Sequence, residues 1–221
     1  MSNTDQCRDI KELNPLCQTL LNKAIEEIKA AGINPLIVET HRSQARQNYL
    51  YCQGRTINQV TSKGITTSFA RAYSNPNSRQ ITWTVNSIHT QRNAVDIVPQ
   101  RISKGKLAAI WNANDKETKK IISIMTKYGF EAGANWATSP DSPHFQIKAV
   151  SATAKSYSAT NTNSFITKMI QKLLNEKINA KLTVDGKWGA NTTQAVNKFR
   201  KQFGWKEDGK VGVETLKKLL E

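Results

Sequence analysis

The segment NSIHTQRNAVDIVP, residues 86–99, sets His89 and Asp96 seven positions apart across a polar TQRN stretch and then runs into the apolar AVDIV. Side chains alternate along a strand, so this spacing cannot hold both residues on one face of a single straight strand. If the chain reverses through Thr90 to Asn93 instead, two strands lie side by side and imidazole and carboxylate can converge. The expectation is therefore a strand ITWTVNSIH, a turn, and a strand AVDIV. Taken alone, the spacing also suits a turn with two incidental ionisable residues.

Working outward, Asn14 followed by Pro15 reads as the N-cap and first-turn proline of a helix with Leu20, Leu21, Ala24, Ile25 and Ile28 on one face, stopped near Gly32. PLIVET (35–40) reads as a short buried strand, SQARQNYLYCQGR as a helix, DKETKKIISIMTKYG as a long helix ended by Gly129, and HFQIKAV as a last strand. Helices and strands alternate without a regular βαβ repeat. The expected class is α+β, a small antiparallel sheet with flanking helices.

VSATAKSYSATNTNS (150–164) is rich in small and hydroxylated residues and carries no helical or strand period. It reads as a linker, dividing the chain into residues 1–149, a linker at 150–163, and a second domain at 164–221. The last part contains an internal repeat: DGKWGANT from Asp185 to Thr192 and DGKVGVET from Asp208 to Thr215, offset by 23 residues. Asp-Gly suits a tight turn, and each threonine falls near a helix start. With FITKMIQKLLNEK and TTQAVNKFRKQFG this predicts a small three-helix domain with Phe199, Val196, Leu173 and Leu219 in its core. Trp188 suits either that core or a stacking surface.

The 221 residues carry 32 Lys/Arg and 17 Asp/Glu, a net +15, and only 38% are hydrophobic. No window approaches the roughly 20 apolar residues of a membrane span. Residues 1–150 hold 19 basic and 11 acidic side chains, residues 151–221 hold 13 and 6, so the last third is about twice as dense in positive charge. Such a surface favours a polyanionic partner. Three cysteines, Cys7, Cys17 and Cys52, form no CxxC pair and read as free thiols. MSNTDQCRDIKELNP lacks a basic n-region and an apolar h-region, so the expectation is accumulation in the cytoplasm.

Only three histidines are available, His41, His89 and His144. Imidazole nitrogen and carboxylate oxygen both suit zinc, and three protein ligands leave a position open for water. SPDSPHFQI (139–147) offers His144 as a third ligand and, three residues earlier across Pro143, Asp141 as a general base. Asp141 could equally cap a turn. His41 is a rival ligand, and Arg42 could clamp a carboxylate with its planar fork.

SIHTQRNAVD (87–96) resembles the SxHxxGxAxD motif of the zinc-dependent D-alanyl-D-alanine carboxypeptidase and L-alanyl-D-glutamate endopeptidase family, which includes phage endolysins. HRSQARQ resembles that family's RSxxxQ segment and DSPHFQ its D/E-x-x-H-F element. The three motifs, in order, span most of residues 30–148. The resemblance implies a hedgehog/DD-peptidase-like fold, zinc held by His89, Asp96 and His144, Asp141 as catalytic acid/base, and substrate contacts from Arg42, Gln47, Ser87 and Trp136. His41 then becomes a neighbour of the site. The family's glycine is Arg92 here, which places a side chain in a turn that would profit from positive φ. The DG-x-x-G-x-x-T repeats with AVNKFRKQFGW resemble the small helical peptidoglycan-binding domain attached to wall hydrolases, its frequent FQ being Phe199-Arg200 here.

These resemblances imply a monomeric peptidoglycan hydrolase of the endolysin type that cuts the L-alanyl-D-glutamate bond after release to an anionic bacterial cell wall, with zinc as cofactor and no membrane insertion. The alternatives are a D,D-carboxypeptidase that removes terminal D-alanine and a non-catalytic wall-binding protein. Nucleic-acid binding is motivated by charge alone and is not the expected role.

Overall fold

The computed structural model describes residues 4–221. In chain order the elements are α1 (Pro15–Ala30), β1 (Asn34–Glu39), α2 (Gln44–Cys52), α3 (Ile57–Thr61), α4 (Thr67–Tyr73), β2 (Ala94–Ser103), β3 (Lys106–Ala109), α5 (Lys116–Lys127), β4 (Glu131–Ala132), β5 (His144–Gln146), β6 (Ser156–Tyr157), α6 (Ser164–Ile178), α7 (Ala190–Lys201), β7 (Val211–Gly212) and α8 (Val213–Leu220). The α+β class holds: an antiparallel sheet ordered β1-β2-β5-β4, with β3 also on β2, is flanked by helices.

Local chemistry explains the starts. Asn14 caps α1 by accepting from the Leu16 amide at 2.9 Å, and Pro15 follows it at the first helical position. Asp115 caps α5, which ends at Gly129 with φ of 85°. The two-residue turn from β2 to β3 uses Lys104 and Gly105, both at positive φ, as a hairpin whose twist matches its strands requires.

β2 is the central strand and its two faces differ. Val95 and Ile97 enter the main core with Leu20, Leu21, Ile28, Ile121 and Phe145, whereas Asp96, between them in sequence, points to the other face. A second, smaller core of Tyr51, Cys52, Val60, Ile65 and Ala70 lies under α2, α3 and α4. Cys17 is wholly buried in the main core, where burial pushes its thiol up to about 12 and makes it inert.

Residues 80–87 correct the expected ITWTVNSIH strand: they form no strand, and a 3-10 turn, Ile88–Gln91, follows. The alternation is real but has no sheet to join, because Ile81 and Trp83 are 58% and 70% exposed. Side chains hold this segment instead. The Thr84 carbonyl accepts from Gln47, the Thr82 carbonyl from Arg55 and the Val85 carbonyl from Gln44. The last strand is also shorter than expected, with Ile147 still donating to the Asn93 carbonyl at 2.8 Å.

The Ser/Thr-rich segment at 150–163 is anchored to the rest of the chain at several of its residues. Tyr157 is fully buried, Val150 and Ala154 join the main core, and β6 pairs with β7 next to α8. Asn14 donates to the Ala152 and Ala154 carbonyls, Asn93 to that of Val150, and Asn163 to that of Lys148. Helix α1 packs on α5, on β1 and on α8, so core residues after the segment, such as Ile166, Leu216 and Leu219, are continuous with those of the sheet.

The sequence repeat is a structural repeat. Gln171 donates to the Asp185 carboxylate, the Lys187 carbonyl and the Thr192 hydroxyl, and accepts from the Gly186 amide. In the second copy Arg200 pairs with Asp208 and donates to the Lys210 carbonyl and the Thr215 hydroxyl, while Asn197 accepts from the Gly209 amide. The arginine at the expected glutamine position thus performs the same bracing with a longer arm. Val196, Phe199 and Leu219 are buried, Leu173 is half-buried, and Trp188 packs against the core while donating to Thr193.

Candidate metal and catalytic site

Sheet register brings the first two ligand candidates together. Asp96 on β2 lies directly opposite His144 on β5, so their side chains emerge side by side on one face. His89 reaches them from the 3-10 turn, with Ser87 capping that turn by accepting from the His89 amide at 3.3 Å. His89 Nε2, Asp96 Oδ1 and His144 Nδ1 form a triangle with all three sides at 3.1 Å. Among the described residues this is the one convergence of three His, Cys, Asp or Glu ligand atoms.

The far nitrogen of each imidazole decides what the near one offers. His89 Nδ1 lies 2.6 Å from the Thr40 carbonyl, which can only accept, so Nδ1 carries the proton and Nε2 turns a lone pair inward. His144 Nε2 faces Gln146 Oε1 at 3.2 Å, leaving the Nδ1 lone pair inward as well. Two nitrogen lone pairs and a carboxylate oxygen at van der Waals separation repel unless positive charge lies among them. Accordingly, although burial opposes it, the hydrogen bond and charge of Asp96 raise the His144 pKa above its ordinary value. Burial likewise pushes Asp96 upward, but the two imidazoles win and hold its carboxyl well below the usual carboxylate range.

This donor set fits zinc. Tetrahedral coordination at roughly 2.0–2.1 Å places donor atoms about 3.3 Å apart, close to the observed triangle, and a neutral imidazole with its other N–H bonded to a carbonyl is the usual ligand form. His41 is outside the triangle. Burial, and then the Arg92 charge, hold its imidazole below its ordinary value.

Asp141 stands at the mouth beside Asp96 and the two histidines, and partial burial and the Asp96 charge raise its carboxyl above the usual range. Its backbone fixes the loop: the Asp141 amide donates to the Gly133 carbonyl at 3.0 Å, and the His144 amide to the Asp141 carbonyl at 3.2 Å. Gly133 must lack a side chain, because a Cβ there would lie 2.5 Å from the Asp141 carbonyl oxygen and 3.2 Å from the His144 Cβ. Gly133→Ala is therefore expected to shift Asp141 and, with the acid/base role that the family motif implies for it, to cut turnover about 10- to 100-fold, since misplacing a catalytic group by about 1 Å costs on that order. Steady-state kinetics alongside a melting curve checks this, and unchanged turnover would refute the constraint.

The expected substrate contacts fare unequally. The Arg42 fork is already used: Nε and Nη2 donate to Glu39 at 3.0 and 2.6 Å, Nη1 to Gln47 at 2.7 Å, and Nη2 also reaches Asp96 Oδ2 at 3.5 Å. Of five N–H donors this leaves one, on Nη1, so the two-pronged grip on a substrate carboxylate is not available. Gln47 is fully buried and bonded to Arg42, Thr82 and Thr84, which makes it a brace for Arg42 and the 80–87 segment and excludes direct substrate contact. Ser87 is a cap, as described. The Trp136 ring lies 5.2 Å from that of His144.

Arg92 does what the absent glycine would do. It takes the left-handed conformation at φ 60° and ψ 22°. Its guanidinium donates to the Glu12 carbonyl at 2.6 Å and the Glu12 carboxylate at 2.7 Å, and its own carbonyl accepts from Asn14. These anchors oppose the roughly 1–2 kcal/mol that the left-handed region costs a non-glycine residue, and His89 and Asp96 on either side of it still converge. Sequence reasoning missed Thr40, Glu39, Glu131, Gly133 and Gln146. Only Gln146 carried a signal, since it lies two residues from His144 on one strand and so shares its face.

Comparison with known proteins agrees with the motifs. Residues 80–147 match the family model described as D-alanyl-D-alanine carboxypeptidase, and residues 166–219 match that of a putative peptidoglycan binding domain. Among solved structures, the L-Ala D-Glu endopeptidase ChiX of Serratia marcescens is similar at 20% identity over 64% of this chain and 87% of that one, with a TM-score of 0.37, too low to bear on fold or substrate. Two successive segments of the chain are thus similar to a D-alanyl-D-alanine carboxypeptidase family and to a putative peptidoglycan binding domain. No helix among the described residues is long and apolar enough to cross a membrane.

Proposed function

We propose that this peptidase, joined to its peptidoglycan-binding domain, is a zinc endopeptidase of the endolysin type that cuts the L-alanyl-D-glutamate bond of the stem peptide and lyses bacterial cells. The observation that carries the hydrolytic reading is the triangle of His89, Asp96 and His144 with Asp141 at its mouth. Zinc bound by those three residues would supply Lewis acidity to the scissile carbonyl and lower the pKa of a water from about 15.7 toward about 7. Asp141 takes the proton of the attacking water and passes it to the leaving amine, a role its raised pKa suits. Trp136 and the buried faces of both imidazoles keep bulk water from the ligand side.

The state of Arg42 favours an endopeptidase over a D,D-carboxypeptidase. A carboxypeptidase must recognise the terminal carboxylate of its substrate, and the guanidinium at this site is occupied by Glu39, Gln47 and Asp96. One remaining N–H suits a peptide carbonyl within a chain. The net charge of +15, densest after residue 150, would hold the enzyme on an anionic wall and raise its local concentration there.

Stripping the metal with a chelator is expected to reduce peptide release from purified cell walls to background, and stoichiometric zinc to restore it. Full release by protein shown by elemental analysis to be metal-free would overturn the reading.

A further inference from the structure

We propose that Glu131, acting through Gln146, sets the tautomer of His144 and is thereby a positioning residue for zinc binding. The inference rests on the zinc reading above. Gln146 is 4% exposed and lies two residues along β5 from His144. Its amide bridges two groups: Oε1 faces His144 Nε2 at 3.2 Å, and Nε2 donates to Glu131 Oε2 at 3.0 Å.

An amide can be turned either way, so its own geometry does not say which end faces the histidine. Glu131 decides it. A carboxylate only accepts, so the Gln146 NH2 must face Glu131, its oxygen must face His144, and the His144 proton must sit on Nε2. The Nδ1 lone pair then points to Asp96 and His89. Were Gln146 reversed, its NH2 would face His144 Nε2, the proton would move to Nδ1, and the ligand would be blocked.

Glu131 carries a second donor. The Trp136 indole N–H donates to its other oxygen, Oε1, at 2.8 Å, so both carboxylate oxygens are used and the indole that walls the site hangs from the same residue. Glu131→Gln replaces one of the two acceptors with a donor, so one of these two bonds must be lost. Gln146→Glu keeps an acceptor for His144 but sets two carboxylates against each other. The reciprocal exchange, Glu131→Gln together with Gln146→Glu, restores every bond. The amide introduced at position 131 accepts from Trp136 and donates to the carboxylate introduced at position 146, which in turn accepts from His144.

The test is zinc affinity by competition with a chromophoric chelator for the full chain and these three variants, together with ring-nitrogen NMR of His144 in zinc-loaded protein. Each single variant is expected to weaken zinc binding about 10- to 100-fold, the usual effect of losing such an outer partner. The double exchange is expected to return it to near the starting affinity. Zinc-loaded wild-type protein should show His144 protonated on Nε2 and bound through Nδ1. Single variants that bind zinc like wild type, a double variant no tighter than the singles, or a wild-type His144 protonated on Nδ1 would each overturn the relay. A wild-type chain that binds no zinc would overturn the function proposed above as well, so the two failures are distinguishable. The NMR result stands even if a variant does not fold.

Discussion

A fragment ending at Val150 is expected to fail to fold. The segment read from sequence as a linker supplies buried Tyr157, and beyond it Ile166, Met169, Ile170, Leu216 and Leu219 belong to the same continuous core as α1 and β2. Gly129, at the end of α5, meets α6 so closely that an added Cβ would be 2.8 Å from the Ile166 side chain. Full burial of such side chains contributes roughly 1.5–3 kcal/mol each. Even half of their total is comparable with the roughly 5–15 kcal/mol by which a domain is typically stable. The truncation also removes the carbonyls of Ala152 and Ala154 that hold the Asn14 side chain, and with it the brace behind Arg92. Expression and circular dichroism of the fragment check this. A soluble fragment with a cooperative melt would mean that the two parts are independent domains and that their contact is incidental.

Asp141→Asn and His144→Ala are both expected to abolish most activity, for different reasons. The amide keeps the shape of Asp141, and the loop hydrogen bonds at Gly133 and His144 come from backbone atoms, so fold and zinc content should be preserved. What is lost is the proton acceptor, worth about 10²–10⁴ in rate, or roughly 3–5.5 kcal/mol of barrier. His144→Ala removes a proposed ligand and leaves Asp96 with one imidazole partner, so bound zinc should fall together with activity. Elemental analysis of the two variants beside their turnover separates the roles. Asp141→Asn protein with lost zinc, or with wild-type turnover, would remove Asp141 from its assigned task.

The legible part of this fold was the part where residue type constrains geometry. Asn14-Pro15 and Gly129 announced helix ends because capping and positive φ are local. The convergence of His89, Asp96 and His144 was legible because few histidines were available and their spacing matched a known pattern. The Asp96–His144 contact itself is a matter of strand register, which the 47 intervening residues do not encode locally. ITWTV misled because alternation reports what a strand needs and not whether a sheet edge is available. The 150–163 segment misled in the opposite sense: Val150, Ala154 and Tyr157 are isolated among serines and threonines, yet their spacing of three to four positions brings each into the core. Arg42 looked free to clamp a substrate because Glu39, three residues earlier, gave no sign that it would be buried beneath it.

The most direct test of the proposed reaction is to incubate purified muropeptides with the full chain and identify the new termini by mass spectrometry. Products carrying a new amino-terminal D-glutamate, with no free D-alanine, are the predicted result. Free D-alanine without a new amino-terminal D-glutamate would contradict it.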